Sequence, residues 1–84
     1  MTFKMYSAEG KLIKKVDILP KIFSGMLEWP SGTKAYYVNS VLHRLDGPAI
    51  EWTSGTKEWF VDGKQITEEQ CKLLYDIMKL KGLL

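Results

Sequence analysis

Leu27-Glu28-Trp29-Pro30-Ser31-Gly32-Thr33-Lys34-Ala35-Tyr36-Tyr37-Val38-Asn39 returns 23 residues later as Ile50-Glu51-Trp52-Thr53-Ser54-Gly55-Thr56-Lys57-Glu58-Trp59-Phe60-Val61-Asp62. Seven of the thirteen positions are identical and four more exchange like for like. A period of this length marks a supersecondary unit stacked on its neighbour. Each unit reads as a β-hairpin. Alternation places Ile50, Trp52, Trp59 and Val61 on one face, with Leu27, Trp29, Tyr36 and Val38 as their counterparts. A two-residue loop at Ser54-Gly55 sets Glu51 opposite Glu58. A four-residue loop from Ser54 to Lys57 sets Trp52 opposite Trp59, and the aromatic pair favours this longer loop. The two registers differ by two residues, so both give the same faces.

Outward from the repeat, Asp62-Gly63 is a hairpin-turn signal and Asn39-Ser40 is its weaker equivalent. Short returning strands are expected at Val41 to His43 and Lys64 to Ile66. Phe3 to Val16 reads as strand–turn–strand and is a candidate for a decayed third unit. Asp17 to Gly25, with Pro20, reads as a connection. At Thr67 the period changes. Thr67-Glu68-Glu69-Gln70 fits a capping box, and Cys71, Leu74, Tyr75, Ile77, Met78 and Leu80 recur at helical spacing up to Gly82. The expected fold is α+β: an antiparallel sheet of about six strands with one C-terminal helix packed on it. A single domain, 1–84, divides into an N-terminal hairpin (1–23), two repeat units (24–46 and 47–66) and the helix (67–82).

With 84 residues and 9.7 kDa the chain has one modest core. A folded monomer of this mass exposes roughly 5,100 Å². The 45% hydrophobic and 26% charged content is that of a globular domain. Net charge is +2, split as +3 over residues 1–23, −3 over 24–69 and +2 over 70–84. Eleven lysines accompany a single arginine, and the pI is about 8.7, below the usual range of nucleic-acid modules. One cysteine, Cys71, excludes an internal disulfide. Met1-Thr2-Phe3-Lys4-Met5-Tyr6 does not read as a signal peptide and no apolar run has the length of a membrane helix, so a cytoplasmic setting is expected.

Leu42-His43-Arg44-Leu45-Asp46-Gly47-Pro48-Ala49-Ile50-Glu51-Trp52, followed by Ser54-Gly55-Thr56-Lys57-Glu58-Trp59-Phe60-Val61-Asp62-Gly63-Lys64, resembles a tandem β-hairpin repeat found in bacteriophage and bacterial proteins, distantly similar to MORN repeats. Ile66-Thr67-Glu68-Glu69 resembles the helix opening that often ends such proteins. The resemblance covers about residues 24–72. The first unit departs from it, with Ser24-Gly25-Met26 in place of Gly-Pro-Ala and Ser40 in place of the turn glycine. It implies a phage or bacterial origin and an interaction role, and it transfers no catalytic or cofactor residue.

The reactive side chains point the same way. One histidine and one cysteine are too few for a zinc site. A His43–Cys71 nucleophilic pair is formally open, but Cys71 fits the inner face of the helix as a small hydrophobe. His43, Arg44 and Asp46 fit the loop that Asp46-Gly47-Pro48 turns. Glu28 and Glu51, at equivalent positions, fit an outer sheet face beside Lys34 and Lys57 better than one acid/base pocket. Ser-Gly-Thr-Lys lacks the glycine spacing and following helix of a phosphate loop. No catalytic, metal or cofactor residue is therefore assigned, and the chain is expected not to be an enzyme. The second sheet face, with Ala35, Tyr37, Ala49, Glu51, Glu58 and Phe60, is the expected binding surface. Tyr37, Phe60, Glu51, Glu58, Arg44 and His43 are the candidate partner-binding residues. A protein partner is expected, in concrete form a host factor inhibited or redirected by a small phage effector. A homodimer through this face or a free edge strand is the other association considered. Nucleic acid is disfavoured by the acidic middle segment, and no membrane contact is expected. Alternatives are a nucleotide-sequestering protein and a structural component of a virion.

Overall fold

The computed structural model describes residues 3–7, 11–16 and 23–83, with residues 13–16 described through their backbone. The chain is α+β. Its strands are β1 (Phe3–Tyr6), β2 (Leu12–Val16), β3 (Gly25–Glu28), β4 (Lys34–Val38), β5 (Val41–Leu42), β6 (Ile50–Glu51), β7 (Lys57–Val61) and β8 (Lys64–Ile66), followed by helix α1 (Glu68–Leu80). They form one antiparallel sheet in the order β2-β1-β3-β4-β6-β7-β8, with β5 on β4. Among the described residues the strands number eight when the short returning strands β5 and β8, expected at Val41 to His43 and Lys64 to Ile66, are included. Residues 17–22 of the expected Asp17 to Gly25 connection and the turn at 8–10 lie outside the described residues, and Gly25 already belongs to β3.

Both repeat hairpins turn through three residues, Pro30-Ser31-Gly32 and Thr53-Ser54-Gly55. Gly32 N–H donates to Trp29 O at 2.9 Å and Trp29 N–H to Thr33 O at 2.9 Å; Gly55 and Trp52 repeat both bonds at the same lengths. The glycines have φ of +97° and +95°, while neither Ser31 nor Ser54 has positive φ. This is a type I turn closed by a left-handed bulge residue, the common three-residue hairpin. In each loop the serine hydroxyl donates to the threonine two residues on, at 3.2 Å.

An odd loop corrects the expected faces. Leu27 pairs with Ala35, Ala35 with Ile50, and Ile50 with Glu58. A shift of one residue from the expected registers turns every side chain of the returning strand over. Trp52 and Trp59 therefore lie on opposite faces, and Trp52 is 45% exposed. Tyr36 and Val38 are parted from Leu27 and Trp29 in the same way. One face carries Met5, Leu27, Ala35, Ile50 and Glu58. The other carries Lys4, Glu28, Lys34, Glu51 and Lys57 in register across five strands. Their charges alternate along this row, so each lysine has a glutamate as cross-strand neighbour, the favourable arrangement.

Helix α1 packs on β7, and Cys71 and Tyr75 line one cavity with Lys57 and Trp59 on the charged-row side. Its start is fixed by the capping box: Gln70 N–H donates to Thr67 Oγ1 at 3.0 Å, and Thr67 N–H donates to Gln70 Oε1 at 2.9 Å. Its end is a Schellman turn, in which Leu83 N–H reaches Met78 O at 2.9 Å and Gly82 sits at φ +71°. Cys71 is the buried helix residue, whereas Leu73, Ile77 and Leu80 are exposed. A single sheet half-covered by one short helix leaves much surface open. The chain exposes 5947 Å², well above the roughly 5,100 Å² of a compact protein of this mass. No helix among the described residues is long and apolar enough to cross a membrane.

Candidate partner-binding face

The face opposite α1 is built in rows by the two equivalent hairpins. Trp29 and Trp52 stand at the ends of β3 and β6, where each N–H closes its own three-residue loop. Continuing the β4–β6 register places Thr33 between them, and continuing the β1–β3 register brings Phe3 beside Trp29. The Phe3 and Trp29 rings meet edge to face at 5.8 Å. Thr33 is only 8% exposed, and its hydroxyl accepts from Ser31. The next row is Leu27, Ala35, Ile50 and Glu58, and the third holds Tyr37 and Phe60. Phe23 lies against Tyr37 with ring centroids 6.3 Å apart. A groove of about 280 Å³ runs between the first two rows, lined by Trp29, Thr33, Ala35, Tyr37, Ile50 and Trp52, with Ser31 at its end. Burial pushes the Tyr37 hydroxyl pKa above its ordinary value, so it stays protonated and able to donate at neutral pH.

Of the candidate residues read from sequence, this face brings together Tyr37, Phe60 and Glu58. Glu58 is tied down: Trp52 Nε1 donates to its Oε1 at 2.5 Å, and Gln65 Nε2 to its Oε2 at 3.1 Å. Glu51 and Ala49 lie on the helix side, Glu51 between Lys34 and Lys57, because the odd loop inverts them. Arg44 and His43 are also apart from this face, in the segment that follows β5. The Arg44 guanidinium stacks on Tyr36 at 3.9 Å, donates from Nε to Asp46 at 3.0 Å and from Nη1 to Pro48 O at 3.1 Å. His43 Nδ1 accepts from Asp62 N–H at 3.0 Å, pinning the β7–β8 turn. Both thus brace the His-Arg-x-Asp loop. Trp29, Trp52 and Thr33, absent from the sequence-based set, are the residues it missed. A glycine in the third loop position of both units was the signal for the odd loop.

Cys71 is 2% exposed, and its Sγ lies 3.5 and 3.4 Å from the carbonyl oxygens of Arg44 and Leu45. Burial, helped by Asp46 and opposed by Arg44, raises the thiol pKa above its ordinary value. His43 points its Nδ1 to Asp62 instead, so the formal nucleophilic pair is not engaged. Among the described residues no three His, Cys, Asp or Glu side chains gather as a metal set. Because the folded thiol ionises at higher pH than the unfolded one, only the unfolded state gains charge in the interval between them. Stability from this group is full below the unfolded thiol's pKa and falls as pH rises through it. The melting temperature of the wild type should therefore decline more steeply than that of Cys71→Ala as pH rises above the ordinary thiol pKa of about 8.5. Parallel slopes in a thermal-melt series would show the thiol to be uncoupled from folding.

No protein-family model, no curated protein and no solved structure matches the chain.

Proposed function

We propose that the chain is a non-enzymatic protein-binding module that docks its partner on the sheet face opposite α1. One observation carries this reading. The helix packs on one side of the sheet, while the other carries Trp29, Tyr37 and Trp52 around one groove, with Phe60 on the same face and the Trp52 indole exposed. Aromatic side chains in such a setting supply most of the binding energy of interfaces. The repeat's likeness to phage and bacterial hairpin arrays makes a small effector acting on a host protein the concrete form.

Affinity capture from a bacterial lysate tests the face. Tyr37→Ala, Phe60→Ala and Trp52→Ala should each release proteins held by the wild type, with affinity lowered about 30-fold at a central aromatic. Retention of the same proteins by wild type and all three folded variants would place the binding surface elsewhere.

A further inference from the structure

We propose that the groove between Trp29 and Trp52 is a site for an extended, uncharged, proline-rich segment of a partner protein. The proposal rests on the protein-binding reading above and names the chemistry of what enters the face.

Three features of the groove select this occupant. The first is spacing. Trp29 and Trp52 stand two strands apart, which is roughly 9.5 Å in a sheet. A polyproline II segment repeats every three residues, or about 9.3 Å, so prolines at i and i+3 reach both indoles together. The second is charge. No charged side chain lines the groove itself, and the Glu58 carboxylate beside it is already held by Trp52 Nε1 and Gln65 Nε2, so a segment with charged residues in register would lose hydration without gaining an unpaired counter-charge. The same absence of cations disfavours a nucleic-acid strand, whose affinity depends on neutralised phosphates.

The third is hydrogen-bond polarity. Trp29 Nε1–H and the Tyr37 hydroxyl have no hydrogen-bond partner among the described residues, and the Thr33 hydroxyl accepts from Ser31 while its own proton remains to be given. These are donors. A polyproline II segment has no internal hydrogen bonds, and each proline offers a carbonyl with no N–H. Aromatic-lined grooves that present N–H and O–H donors are the general solution for binding such segments.

The test is fluorescence anisotropy with a fluorescein-labelled decaproline, alongside a Gly-Ser decapeptide and a labelled dT10 strand, on the full chain. Decaproline should bind with Kd on the order of 100 µM and the other two at least tenfold more weakly. Tyr37→Phe keeps the ring and removes the donor, and should weaken binding about three- to tenfold. Trp29→Ala should weaken it tenfold or more, and the Trp29 indole N–H resonance should move on titration. Phe60 lies outside the groove, so Phe60→Ala should lose lysate capture yet keep decaproline affinity. Absence of decaproline binding by folded protein at millimolar concentration overturns the proposal. So does preference for dT10, or binding that ignores both Trp29→Ala and Tyr37→Phe. If decaproline fails while Phe60→Ala still abolishes capture, the peptide assignment falls and the binding module stands.

Discussion

Gly25→Ala should leave the chain largely unfolded. Gly25 opens β3 at φ +135°, and a Cβ built there would overlap the Tyr6 carbonyl oxygen of β1 and press on the Phe23 ring. The obstacle is backbone, so no rotamer change relieves it. The strands must separate, and with them goes the packing of Met5 on Leu27 and of Phe3 on Trp29. The cost is about 4 kcal/mol or more, the range reached only when packing and backbone fail together. For a domain of this size each kcal/mol moves Tm by about 4–8 °C, so a fall of roughly 20 °C or outright loss of the native circular dichroism signal is expected. Gly55→Ala is the comparison. At φ +95° it has nothing within 4 Å, so it should show only the conformational penalty of about 1–2 kcal/mol. Similar melting temperatures for the two variants would mean that β1 does not need that close approach.

Arg44→Ala should destabilise by about 2–3 kcal/mol and loosen the helix. The side chain combines a cation–π contact, a charge-assisted hydrogen bond and a bond to the Pro48 carbonyl. Exposed cation–π pairs contribute about 0.5–1 kcal/mol and hydrogen bonds to charged groups about 1.5–3, with half-exposure discounting both. What they hold is the loop whose carbonyls meet Cys71 Sγ. Urea unfolding should report the stability loss, and the thiol should react with a disulfide reagent faster in the variant under native conditions. Arg44→Lys should recover little, because an ammonium cannot stack on Tyr36 and bridge Asp46 and Pro48 at once. Unchanged thiol reactivity in Arg44→Ala would uncouple the loop from the helix.

Much of this architecture was legible in the residues. The duplicated segment announced paired hairpins, Asp62-Gly63 announced the β7–β8 turn, and Thr67 with Gln70 announced the helix start. The faces were not, and the reason is specific. Whether Thr53 belongs to strand or turn changes the loop by one residue, and one residue inverts a strand. Glycine third in each loop, and proline first in the earlier one, are the chemistry of a type I turn with a left-handed closing residue. With that rule applied, Trp59 parts from Trp52 while Trp52 stays on the face of Trp29, and the two indoles flank the groove. Glu51 could not be placed correctly without it. The bracing by Arg44 depends on contacts between residues several positions apart around an irregular loop, where no periodicity helps.

The helix also settles where the ribbon stops. On β4, residues Lys34 and Ala35 receive β6, the opening strand of the next unit. Their equivalents on β7, Lys57 and Glu58, receive no such strand among the described residues, and α1 packs against β7 instead. The joint between the two units sets Glu51 beside Lys34, and Lys57 is the equivalent lysine that the opening strand of a further unit would meet. In chain order α1 thus takes the place after β8 that the loop and β6 take after β5, and the helix closes the series of units.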